Sequence, residues 1–213
     1  MKKWSAAAII IGWGALSLFA AVGCELNDPD RDVRRLFPAS TGYRTIYASI
    51  ANKGGAGLLR QVEQRLGDSF QGLFETADVP YTMYRVLKGQ ETIGYIHGVN
   101  QKGRYGGIQA FLAIDSQGRI LAFYYQRLTN NEARLLRSVE FGRQFIGLDL
   151  SDFDGYDVVS GRAAPGSRIA AVRNPAPGAE DDYRATLRSV KKNLILCDEF
   201  LLGNRFLAKE TEK

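Results

Sequence analysis

Apolar and polar positions alternate with period two from Tyr81 to Leu87, and the pattern returns from Glu91 to Val99 with Lys88-Gly89-Gln90 between as a turn. It recurs from Ile108 to Asp115 and from Arg119 to Arg127, this time around Ser116-Gln117-Gly118. Four consecutive strands in two hairpins predict an antiparallel sheet. Beyond residue 180 the period changes. Tyr183, Leu187, Val190, Leu194, Cys197 and Leu201 recur at steps of four and three, the stripe of a long helix. Glu180-Asp181-Asp182 places negative charge at its start, where the helix dipole favours it, and Gly203-Asn204 closes it. Shorter elements fill the remainder: a strand over Tyr43–Ile50, a helix over Leu58–Leu66 stopped by Gly67, short helices over Asn131–Arg137 and Glu140–Ile146, and a strand-like stretch ending at Asp157–Gly161. The predicted fold class is α+β, an antiparallel sheet built from the two central hairpins and packed by helices, including the long C-terminal one.

The N-terminus follows a different pattern. After Lys2 and Lys3 the chain is apolar from Trp4 to Gly23, with no charge until Glu25, which is the layout of an export signal. The small residues before Cys24 suit a lipoprotein signal peptidase, which would leave Cys24 as the lipidated N-terminus. The run of about 20 residues is also long enough to span a bilayer uncleaved. Plain secretion is the third reading. With either tether the lysines stay inside and the rest of the chain faces outward, on the periplasmic or extracytoplasmic side of the cell envelope. Residues 24–42 are polar, with Pro29 and Pro38 bracketing at most one short helix, and read as a linker. Residues 43–208 form a single domain, and 209–213 a charged tail.

The formal charge of +5 changes this picture little. Without residues 1–23 the chain keeps 26 basic and 23 acidic residues, scattered along its length, which gives no footprint for nucleic acid. Two cysteines and one histidine exclude a disulfide framework and the usual zinc, haem and iron–sulfur spacings. Cys197 reads as a small core residue and His97 as a surface residue of a strand, so no catalytic or metal-binding residue is assigned. Gly54-Gly55-Ala56-Gly57 precedes a helix, but no Lys-Ser or Lys-Thr pair follows, which disfavours a nucleotide-triphosphate loop.

Three ordered segments carry a family resemblance. Gly103-Arg104-Tyr105-Gly106-Gly107-Ile108, leading through Ile114-Asp115 to the turn at Gly118, is the first. Phe141-Gly142-Arg143-Gln144-Phe145-Ile146-Gly147 is the second, and Asp157-Val158-Val159-Ser160-Gly161 the third. Together they resemble the FMN-binding domain family, whose members include periplasmic flavin-carrying subunits of ion-pumping NADH:quinone and ferredoxin oxidoreductases. The resemblance covers roughly residues 80–202. It implies an electron-transfer protein partnered by other subunits of a membrane redox complex, with Arg104, Tyr105, Gly106, Gly107, Ser160, Gly161 and Arg162 around FMN. Tyr105 would flank the isoalloxazine, while Arg104 and Arg162 would face the phosphate. Taken without the resemblance, the glycines shape a bend entering a strand.

The chain also departs from the family. There, a threonine near the end of the third segment takes the FMN phosphate as an ester. Here Ser160-Gly161 is followed by Arg162-Ala163-Ala164-Pro165, with no hydroxyl where the threonines would stand, and Ser167 falls outside the register. The family's "E-T-P-G" segment is reduced to Thr129-Asn130-Asn131-Glu132-Ala133. Two readings follow. In one, FMN is held non-covalently, with Arg162 replacing the ester, because guanidinium and phosphate match geometrically. In the other, the fold is kept as a cofactor-free binding or scaffold subunit of a membrane electron-transfer complex.

Overall fold

The computed structural model describes residues 23–72 and 74–207. The expected export signal or anchor, apart from Gly23, and the charged tail 209–213 lie outside these residues.

The alternating stretches form one five-stranded antiparallel sheet of β1 (Gly42–Ala48), β2 (Tyr81–Lys88), β3 (Glu91–Gly103), β4 (Gly106–Asp115) and β5 (Ile120–Leu128). Each strand pairs with the next in sequence, so the fold is α+β as expected and the sheet is a continuous meander. The two predicted hairpins are joined by a third. Gly103 pairs with Gly106, and Arg104 and Tyr105 alone connect β3 to β4.

Period two sends Met83, Tyr95, Val99 and Leu112 to one face of the sheet, where they form a core with α3 (Gly55–Leu66) and α5 (Glu180–Cys197). The predicted helix stop is present, with Gly67 left-handed at φ 78°. The single apolar stripe predicted for α5 is not what the structure shows. Every residue from Thr186 to Cys197 is buried, Lys192 and Asn193 included. The sheet covers one side of the helix. On the other side, Lys191 Nζ donates to Tyr156 O at 3.0 Å, in the irregular segment that precedes α5. A π-helical turn over Asp198–Leu202 continues α5 and ends at Gly203.

His97 also departs from expectation. It is buried, with 1% exposure, beneath α5 rather than on the surface. Odd-numbered positions of β3 face the helix, and His97 shares that face with Tyr95 and Val99.

The segment expected as a linker is folded. α1 (Pro29–Leu36) is capped by Asp28, whose side chain accepts from Arg31 N at 3.0 Å, and has acids in its first turn and arginines in its last. Cys24, Leu26, Val33 and Phe37 pack over Tyr84, Val86, Ile96, Phe111 and Ala113 on the second face of the sheet. Few apolar residues are needed for this cover because β3 has glycine where rings lie on it. A Cβ on Gly98 would come within 2.4 Å of the Phe111 ring. The domain is therefore three layers deep: the N-terminal segment, the sheet, and the helices.

The remaining predicted elements are shorter than expected. Asn131–Arg137 holds a 3₁₀ turn over Arg134–Arg137, followed by α4 (Val139–Arg143), and Asp157–Gly161 begins a small ribbon of β6 (Tyr156–Asp157) and β7 (Arg162–Ala163). No described helix is long and apolar enough to cross a membrane.

Candidate functional site

The Arg104–Gly107 segment is the tip of the β3–β4 hairpin. Neither Arg104 nor Tyr105 has positive φ, so the twist that a tight hairpin needs is taken up by Gly106 at φ 144°. A Cβ there would meet Thr129 Oγ1 at 2.8 Å. Tyr105 is 61% exposed. The Arg104 guanidinium lies 5.0 Å over the Tyr105 ring and 3.7 Å from Glu132. The hairpin is pinned to the first turn of α5 by Asp182, a buried carboxylate that accepts from Arg104 N at 2.9 Å and from Asn130 Nδ2 at 2.5 Å.

The Ser160–Arg162 segment is the turn between β6 and β7. Its inward donors are already taken. The Asp157 carboxylate accepts from Val159 N at 2.9 Å, Ser160 N at 3.2 Å and Ser160 Oγ at 2.6 Å. The Ser160 hydroxyl first, then the two backbone N–H groups, hold the Asp157 carboxyl below the usual carboxylate range. Gly161 N donates to Asp157 O at 2.8 Å. Ser167 Oγ donates to Ala164 O at 2.7 Å. The turn is an Asx-turn, in which the Asp157 carboxylate satisfies the backbone N–H groups two and three residues on. Only the exposed Arg162 guanidinium has no hydrogen bond or ion pair among the described residues.

This turn too is fastened to α5, by Arg184, which donates to Val159 O. Asp182 and Arg184 are two positions apart, about 200° around a helix. The hairpin and the turn are therefore fastened to different sides of the first turn of α5. A groove of about 960 Å³ is lined by Arg60, Gln64, Arg65, Lys191 and Phe206, among others, and includes none of the expected site residues. An FMN phosphoester does not fit this turn: Ala163, Ala164 and Pro165 have no hydroxyl to esterify, and the Asp157 carboxylate occupies the donors.

The polar centre of the molecule lies elsewhere, between α5 and β3. Glu75 accepts from Arg188 at 2.5 and 3.1 Å and from Lys192 at 2.7 Å. Arg188 also reaches Asp68 at 2.9 Å and Gln101 at 2.9 Å, and Lys192 reaches Asn100 O at 2.7 Å. Two acids thus balance two bases. Burial would raise the Glu75 pKa, but Lys192 and Arg188 outweigh it and hold the carboxyl below its ordinary value. Burial pulls Lys192 down to about 8 against the attraction of Glu75. At the next residue of α5, His97 Nδ1 donates to Asn193 Oδ1 at 2.8 Å and Asn193 Nδ2 donates to His97 O at 3.0 Å. His97 Nε2 is buried without a partner.

Cys197 Sγ lies 3.7 Å from His97 Nδ1, a cysteine–histidine–asparagine set in composition. Burial pushes the thiol up and His97 down to about 4, and all three residues are closed to solvent. A protonated, inaccessible thiol is not a nucleophile, so the set belongs to the core. The sequence did carry a signal for this centre. Arg188 and Lys192 stand one turn apart in a helix whose neighbouring positions, Leu187, Val190 and Leu194, are apolar. Among the described residues no group of three His, Cys, Asp or Glu side chains is placed to hold a metal.

A five-stranded antiparallel meander with a long buried helix on one face and an N-terminal cover on the other defines the class of fold. No protein-family model matches the chain, and no curated protein matches it. Among solved structures, the chain is similar to NqrC of Shewanella oneidensis, at 12% identity and a TM-score of 0.50 over 82% of this chain and 86% of that one. The two share a fold.

The buried imidazole gives a testable pH dependence. His97 is held near 4 in the folded chain against about 6.5 when unfolded. The unfolded state therefore binds the extra proton first. The contribution is complete above pH 6.5 and is lost as pH falls toward 4, by about 3 kcal/mol in all. Denaturant titrations across this range should show that slope in the parent and its loss in His97→Phe. Identical slopes would mean that His97 does not stay neutral in the fold.

Proposed function

We propose that this chain is a membrane-tethered, extracytoplasmic subunit of a membrane electron-transfer complex, built on the FMN-binding-domain fold and acting as a binding and scaffold module without flavin of its own. The observation that carries this reading is the β6–β7 turn. Asp157 supplies the anion that the turn's donors coordinate, and Ala163 and Pro165 offer nothing to esterify. The family resemblance of the three segments and the fold shared with NqrC support the assignment to a redox complex. The export pattern of residues 1–23 supports the tether and the outward face.

Of the two tethers, the packing of Cys24 favours the uncleaved anchor. Its side chain is 3% exposed among Leu26, Val33, Phe37 and Tyr84, and burial raises its thiol to about 12. Acylation would have to draw this sulfur out of the core. Cys24→Ser should therefore leave the chain in the membrane fraction at unchanged mass apart from the substitution. A loss of membrane retention, or a shift from a processed to a precursor mass, would establish the lipoprotein instead.

The free guanidinium of Arg162 favours a second reading, in which FMN is held non-covalently by its phosphate. Fluorescence titration of the full chain in detergent separates the two. The scaffold reading expects no saturable binding of FMN. The second expects FMN to bind better than riboflavin, and Arg162→Ala to weaken FMN by about 1.5–3 kcal/mol while leaving riboflavin unaffected.

A further inference from the structure

The two edges of the sheet are treated differently. At β5 the outer backbone is covered: Ile120 N donates to Leu148 O at 2.8 Å, and Arg137 caps the carbonyls of Tyr125 and Leu128 at 3.4 and 3.1 Å. At β1 nothing comparable occurs. Its seven residues pair with β2 in unbroken register, without bulge or proline, and among the described residues no backbone hydrogen bond reaches its other side. Such an edge is a template for another strand, and proteins usually blunt it.

The side chains of β1 indicate what kind of strand would fit. On the face toward the helices, Arg44 stands directly opposite Arg85 of β2. Directly opposed residues of an antiparallel pair point to the same side, so two like charges are neighbours there, which is unfavourable without an anion. Neither arginine has a hydrogen bond or ion pair among the described residues, and Arg85 Nε is buried without a partner. On the other face, Tyr47 is 66% exposed beside Thr45. A second copy of this chain would add two more arginines, whereas an acidic strand would neutralise the two already present.

We propose that the free edge of β1 is a docking site for an extended acidic segment of a partner polypeptide. The segment adds a sixth strand by main-chain hydrogen bonds, with carboxylates toward Arg44 and Arg85 and apolar side chains toward Tyr47. The proposal names the contact surface of the scaffold reading and rests on that reading only for the segment's origin in a partner subunit. Its test does not involve flavin, so each can fail separately.

The test uses two synthetic probes, a short peptide alternating valine and glutamate and its counterpart alternating valine and lysine. Amide signals of the isotope-labelled full chain in detergent are followed during titration. The glutamate peptide should bind saturably, perturb and protect the amides of Gly42–Ala48, and bind about tenfold tighter than the lysine peptide. Arg44→Gln should reduce the preference and Arg44→Glu should reverse it, both at an exposed position. Equal binding of the two peptides, no binding of either, or perturbations away from β1 would overturn the proposal. So would broadening of the β1 amides with protein concentration alone, which would make the occupant a second copy of the chain.

Discussion

The carboxylate of Glu75, held between Arg188 and Lys192, sets the position of α5 and so of everything attached to it. A helix buried on every side cannot leave a charge unpaired, because taking one ion out of water costs several kcal/mol. Arg188 and Lys192 therefore both face the one buried acid that the Asp68–Glu75 loop carries to the sheet, while Lys191, on the far side of the helix, donates to the Tyr156 carbonyl. That requirement fixes the rotation of the helix. Once it is fixed, Asp182 and Arg184 point to opposite sides and fasten the β3–β4 hairpin and the β6–β7 turn apart from each other. The separation of the two segments that resemble a flavin site is thus a consequence of packing at the centre of the molecule.

The sheet was legible in the sequence because its strands are buried by alternation. Met83, Tyr95 and Leu112 meet the helices while Tyr84, Ile96 and Phe111 meet the N-terminal cover. The packing of α1 on the sheet was not legible, because Val33, Leu36 and Phe37 are the only large apolar residues of 28–38 amid six charges and two prolines, and cover of a glycine-bearing strand needs no more. Full burial of α5 was hidden by Arg188, Lys191, Lys192 and Asn193, whose partners Glu75, Tyr156 and His97 are distant in sequence. The same long-range pairing hid the burial of His97. Taken without the resemblance, the glycine-rich step reads as a bend, and its tightness depends on Gly106 adopting a φ that periodicity does not report.

On the scaffold reading, fold and flavin site have separated in this chain. The meander, the long helix and the shared architecture with NqrC persist at 12% identity. In that reading the β6–β7 turn needs no phosphate, because the side chain of Asp157 accepts from its backbone N–H groups. A carboxylate supplied by the chain itself needs no ligand to order the turn, and its charge opposes a phosphate arriving at the same place. The residues that keep the fold are then free of any requirement to orient a cofactor, and function moves to surfaces.

On the scaffold reading, this fold works in a membrane complex without flavin of its own. The most direct measurement is made on the tagged chain isolated under mild detergent from its native membranes and then separated from its partners. The separated chain should show no visible flavin absorption and no fluorescent band on denaturing electrophoresis. Flavin present in equimolar amount with the chain, released by denaturation or remaining attached through it, would contradict that reading.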